Sequence, residues 1–110
     1  MEIKYGTKKL EKVLNSEALI RREYGDQNGR KIMRRLALLA AAPNLDAVPK
    51  TPPPRCHQLV VDRDETFAVD IEHPYRLLFR PMEPIPRLSD GGIDVAAVTV
   101  IIIDGIKDYH

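Results

Sequence analysis

The chain reads as an α+β domain, a small antiparallel β-sheet packed against an N-terminal helical hairpin. Three observations predict this class. Apolar residues before Pro43 recur at the spacing of one helix face, as in Ile32, Leu36 and Leu39. From Thr66 onward the period changes to two: Phe67, Val69 and Ile71 point one way, Thr66, Ala68 and Asp70 the other. Between the two regimes lies the proline-rich stretch Pro49 to Pro54. With 110 residues and 44% apolar content, the chain is long enough for one core, so residues 1–110 are read as a single domain.

Taken in order, Glu2 to Tyr5 reads as a short edge strand. Thr7 opens a helix with Leu10, Val13 and Leu14 on one face. Asn15 and Ser16 stop it and cap the next, because a side-chain oxygen there accepts from a free amide of the first turn. Leu19, Ile20 and Tyr24 follow on one face; Gly25 ends this helix and Asp26 starts another. Its stripe is Ile32, Leu36 and Leu39, flanked by Met33 and Ala40, with Arg30, Lys31, Arg34 and Arg35 on the outer side. Pro43-Asn44 terminates it. Pro49 to Pro54, poor in amide donors, reads as a stiff extended connector. Strands are expected at about 55–61, 66–72 and 75–80, joined by reversals at Asp62 to Glu65 and at Glu72-His73-Pro74. Pro81 to Asp94 is a long loop. Val95 to Ile103 is a continuous β-branched run that fits a central strand, with Gly105 as a kink or bulge.

Composition narrows the function classes. The absence of Trp makes a base-stacking platform improbable. A single cysteine, Cys56, excludes an internal disulfide and suggests a reducing compartment; in a strand it reads as a small apolar residue rather than a nucleophile. The opening MEIKYGTKKLEK has no signal-peptide core and no apolar run is long enough to span a bilayer, so a cytoplasmic location is expected. No ligand spacing typical of zinc sites is present, and no metal or other cofactor is expected. The net charge is only +1, but it is polarised. Residues 1–36 hold ten Lys or Arg against five Asp or Glu, whereas residues 37–110 hold seven against eleven. The basic half is a candidate face for nucleic acid or an acidic partner, or simply a solvated helix surface.

Two groups of residues carry candidate chemistry. His57 begins one strand, and Arg76 and Arg80 lie on one face of another, so one sheet surface offers an imidazole and a guanidinium. The closing residues Asp108, Tyr109 and His110 bring a carboxylate, a phenol and an imidazole. Taken alone, each has a plainer reading: a backbone-bonded strand histidine, a surface strand arginine and a frayed polar tail.

In their order and spacing, these pieces resemble the RelE/HigB-type toxins of bacterial toxin–antitoxin systems, the plasmid-maintenance killer proteins, on the HigB-like branch. The resemblance spans nearly the whole length. It rests on the basic helical hairpin, the proline-rich lead into RCHQL, the DR at Asp62-Arg63, FAVD at Phe67 to Asp70, PYRLLF at Pro74 to Phe79, the DGG loop and the closing DYH. It implies a RelE-like fold and a metal-independent endoribonuclease (mRNA interferase) acting on mRNA in the ribosomal A site. It also implies a HigA-like helix-turn-helix antitoxin as partner, with DNA approached only through that antitoxin and no membrane association. The active residues it implies are His57, Arg76, Asp108, Tyr109 and His110. Arg30, Lys31, Arg34, Arg35 and Arg80 become the cations that meet RNA or ribosome.

Those residue types suit RNA cleavage without a metal. One group takes the proton of the 2′-hydroxyl, one protonates the leaving 5′-oxygen, and a cation holds the phosphate. Histidines titrate near neutrality and arginine's fork matches phosphate oxygens. His57 and His110 are the expected acid–base pair, and His73 in its reversal is read as a turn residue. Relatives commonly carry a lysine-glycine pair before the DR, where this chain has Val60-Val61. That departure motivates the alternative of a catalytically weak toxin-fold module that pairs with its antitoxin to regulate transcription.

Overall fold

A computed structural model describes residues 1–59 and 65–108. Residues 62–64 of the first reversal, which include Asp62-Arg63, lie outside the described residues, as do Val60-Val61, Tyr109 and His110. Strand β1 (Glu2–Tyr5) precedes helix α1 (Lys8–Leu14) and helix α2 (Glu17–Ala41). Strands β2 (His57–Gln58), β3 (Phe67–Asp70), β4 (Tyr75–Pro81) and β5 (Val100–Asp108) follow. They form one five-stranded sheet in the order β1-β5-β4-β3-β2. Neighbours run antiparallel except β1, the expected edge strand, which lies parallel to β5. The class is α+β, with the helical hairpin on one side of the sheet.

The helices start where their capping residues stand. The Thr7 hydroxyl accepts from the Leu10 amide at 3.1 Å, and the Ser16 hydroxyl from the Leu19 amide at 3.2 Å. Gly25, at φ 82°, breaks α2 into two segments, as its position between two apolar stripes predicts. One face of the sheet meets the helices. Phe67, Val69, Leu77, Phe79, Ile101 and Ile103 pack there with Leu14, Ile20, Ile32 and Leu39. Phe67 and Phe79 are register partners, and their rings stack with centroids 5.9 Å apart. The face turned away from the helices carries a smaller cluster of Leu59, Ala68 and Leu78. The expected period-two alternation therefore holds through β3 and β4. Among the described residues, no helix is long and apolar enough to cross a membrane.

Three expectations about backbone path are corrected. The Pro49–Pro54 stretch is not extended. It turns back, with the Arg55 amide donating to the Thr51 carbonyl at 3.0 Å and the Cys56 amide to the Pro49 carbonyl at 2.9 Å. The β-branched run is not one strand from Val95. Residues Val95–Ala97 form a 3-10 turn, and β5 begins at Val100. Its neighbours decide this: β1 starts at Glu2, opposite Val100, and β4 ends at Pro81, opposite Ile101. Before that level neither strand continues, and Ala96 and Ala97 are weak strand formers. In exchange β5 runs on to Asp108, past the expected end. Gly105 supplies the bulge. Leu78 pairs with Gly105 and Phe79 with Ile103, leaving Asp104 as the extra residue, and Gly105 sits at φ 145°.

Candidate active site

β2, β3 and β4 together place the candidate residues on the face turned away from the helices. In register, His57 faces Ala68 and Asp70 faces Arg76. Ala68 and Asp70 are two residues apart and so share a face. His57 and Arg76 are thus separated by two strand spacings of about 4.8 Å and two residues of about 3.4 Å, roughly 12 Å between backbones. Arg76 reaches straight across to its register partner, with Nε 3.6 Å from Asp70 Oδ1.

Asp70 is the hub. Its carboxylate accepts from Arg55 Nε at 2.7 Å and from Arg55 Nη2 at 3.1 Å, a two-point geometry. The bond to Asp70 holds the Arg55 guanidinium pKa above its ordinary value. Arg55 also contributes its main chain: its carbonyl oxygen lies 2.8 Å from His57 Nδ1. A carbonyl only accepts, so Nδ1 carries the hydrogen and Nε2 is left as the acceptor of the neutral ring. A chain of contacts therefore runs His57–Arg55–Asp70–Arg76. Arg55 was not among the sequence candidates; its one signal was a place two residues before His57, on the same side of an extended chain.

Of the three closing residues, Asp108 is described, at the end of β5. Lys107 is the register partner of Arg76, and Asp108 of Tyr75. Lys107 therefore shares the face of Arg76, whereas Asp108, beside Tyr75, is set on the opposite face by strand alternation. The reversal at Glu72-His73-Pro74 is present, closed by the Tyr75 amide on the Glu72 carbonyl at 2.8 Å. A recess of about 80 Å³ lies among Arg55, Asp70, His73, Tyr75 and Arg76. A larger cavity of about 460 Å³ flanks His57 and is lined by Leu45, Lys50, Cys56, Phe67 and Val95. Cys56 is buried, and desolvation pushes its thiol up to about 11. At neutral pH it is a neutral thiol, in keeping with a packing residue.

The basic helix face is only partly what the sequence suggested. Arg30 and Arg34 are exposed. Lys31 is paired with Glu72, whose carboxylate also accepts from Gln27 at 3.1 Å. The hydrogen bond from Lys31 holds the Glu72 pKa below the usual carboxylate value. Arg35 is not on the outer side at all. It is 7% exposed, with its Nε donating to the Asp70 carbonyl at 2.7 Å and its Nη2 to the Pro53 carbonyl at 3.3 Å. Helical spacing explains the correction, since position 35 is three after Ile32 and four before Leu39, both fully buried. Arg80 pairs with Asp104 at 3.2 Å and borders a polar cleft of about 570 Å³ with Glu65, Thr66 and Arg87. Among the described residues, no group of three or more His, Cys, Asp or Glu is arranged to hold a metal ion.

No family model matches the chain, and no curated protein and no solved structure matches it.

Proposed function

We propose that this chain is the toxin of a type II toxin–antitoxin system, a ribosome-dependent endoribonuclease of the cytoplasm that cleaves mRNA without a metal. The observation that carries the reading is the His57–Arg55–Asp70–Arg76 chain on one sheet face. The His57 ring, with its hydrogen on Nδ1, offers Nε2 to the 2′-hydroxyl as general base. As that proton leaves, the 2′-oxygen bonds to phosphorus and the P–O5′ bond breaks. The products are a 2′,3′-cyclic phosphate and a 5′-hydroxyl. His110 is the acid that protonates the leaving O5′. Arg76 holds the phosphate charge, Asp108 keeps the acid charged and Tyr109 contacts base or phosphate. Arg30 and Arg34, with Arg80, supply salt-dependent attachment to ribosomal RNA. A helix-turn-helix antitoxin restrains the activity in the cell.

The test is induction of the chain in bacteria without an antitoxin, followed by mapping of mRNA 5′ ends. Growth arrest with new 5′-hydroxyl ends on ribosome-bound messages is expected, and His57→Ala or Arg76→Ala should relieve both. Arrest that persists undiminished in both variants refutes the assignment. A second reading, the inactive regulatory module, is favoured by the pairing of Arg76 with Asp70, since that carboxylate competes with a phosphate for the same guanidinium. Its signature is normal growth and no cleavage, together with tight binding to a DNA-binding partner protein.

A further inference from the structure

Arg35 does something that neither its burial nor its charge alone explains. The Leu59 amide donates to the Thr66 carbonyl at 2.9 Å, so these two form a hydrogen-bonded pair of the β2–β3 ladder. Such pairs recur every second residue. His57 and Ala68 are the next, and Arg55 and Asp70 would be the one after. In a regular ladder the Arg55 amide would donate to the Asp70 carbonyl, and the Arg55 carbonyl would accept from the Asp70 amide.

Neither bond is made. Arg55 sits at φ 46°, its amide is turned to Thr51, and the Asp70 amide donates to the Pro54 carbonyl at 2.7 Å. Two consequences follow. The Arg55 carbonyl is released from the ladder and meets His57 Nδ1. The Asp70 carbonyl loses its strand donor, and the prolines beside it have no amide to offer. Arg35 Nε fills that place, while Nη2 holds Pro53 in the same turn.

We propose that Arg35 is a positioning residue, which by standing in for the Arg55 amide keeps the Arg55 carbonyl on His57 Nδ1 and so sets the tautomer of the His57 ring. Without Arg35, the part-buried Asp70 carbonyl would lack a protein donor, which is costly. The nearest remedy is for Arg55 to rejoin the ladder, and its carbonyl then turns away from His57. The catalytic consequence rests on the nuclease reading above; the tautomer does not.

The experiment is nitrogen-15 NMR of the imidazoles in the full chain, for wild type, Arg35→Gln and Arg35→Lys, with thermal unfolding as the check on folding. The wild type should show His57 as one tautomer with its hydrogen on Nδ1. Arg35→Gln should show exchange between both tautomers, and Arg35→Lys an intermediate pattern, because an ammonium keeps a donor but not the two-armed reach. On ribosomes, Arg35→Gln should slow single-turnover cleavage by roughly 10- to 100-fold, the usual loss when an orienting partner is removed. A folded variant with wild-type His57 signals overturns the proposal. If neither variant folds, the wild type still decides, because a His57 ring with its hydrogen on Nε2 overturns it as well. A wild type that cleaves no RNA refutes the nuclease reading alone and leaves the tautomer result standing.

Discussion

Replacing Asp70 by asparagine is the most informative single change, because that carboxylate is the point where the candidate site and the fold share an interaction. The substitution keeps the shape and removes the charge. At an effective dielectric of about 20, a unit pair about 4 Å apart has a gross attraction of roughly 4 kcal/mol. Desolvation and ordering of the side chains cancel most of it, and fully exposed pairs retain only about 0.2–1 kcal/mol. Here the carboxylate is 28% exposed and the Arg55 side chain 39%, with two parallel bonds between them. Partial burial and the two-point geometry raise the expectation to about 1–2 kcal/mol. For a domain of this size that is a fall in midpoint of about 4–9 °C. Urea unfolding should show the loss as a lower midpoint with an unchanged slope. A double-mutant cycle with Arg55→Ala should give a coupling near 1 kcal/mol. A coupling below about 0.3 kcal/mol would refute the reasoning, since Asp70 would then be a surface carboxylate and not the hub that joins Arg55 to Arg76.

Two further outcomes follow from the backbone and from the buried thiol. Gly105→Ala should destabilise the protein by about 1–3 kcal/mol, because φ 145° is a conformation that alanine resists even though the space for a methyl group is open. Calorimetry checks this, and an unchanged midpoint would mean that the β5 bulge relaxes without cost. Cys56 has a folded pKa of about 11 against an ordinary 9.0. The unfolded thiol therefore ionises first as pH rises, and the folded state binds more protons in that window. Stability from this group is constant below about pH 9 and declines by about 2–3 kcal/mol between pH 9 and 11. Cys56→Ala should abolish that component of the alkaline slope, and a thiol reagent at pH 8 should react with native protein far more slowly than with unfolded protein. Equal rates would contradict the burial.

Much of the architecture was legible because it is written in local rules. A hydroxyl at Thr7 and at Ser16, a glycine at position 25, and strict alternation from Phe67 to Phe79 each act over a few residues, so the helix starts, the break and the two faces of the sheet could be read directly. The β-branched run was misread at its start for the opposite reason. Val95 to Ala97 belong to the same apolar run, but Ala96 and Ala97 are weak strand formers, and at that level β1 has not begun and β4 has already ended.

The candidate site divides along the same line. Sequence by itself determined which chemistry is on offer and the faces within each strand, such as Arg76 and Arg80 opposite Leu77 and Phe79, whereas the register of β2, β3 and β4 decided that His57 shares the face of Arg76. Only the tertiary structure decided who their partners are. That Arg55 leaves the ladder, that Asp70 joins it to Arg76, and that Arg35 supplies the missing donor depend on a helix, a proline turn and a strand edge meeting in three dimensions. Arg35 makes the physical reason plain. Its charge suggested solvent, its spacing from Ile32 and Leu39 pointed inward, and the unfilled carbonyl of Asp70, contributed by a segment 35 residues away, settled it.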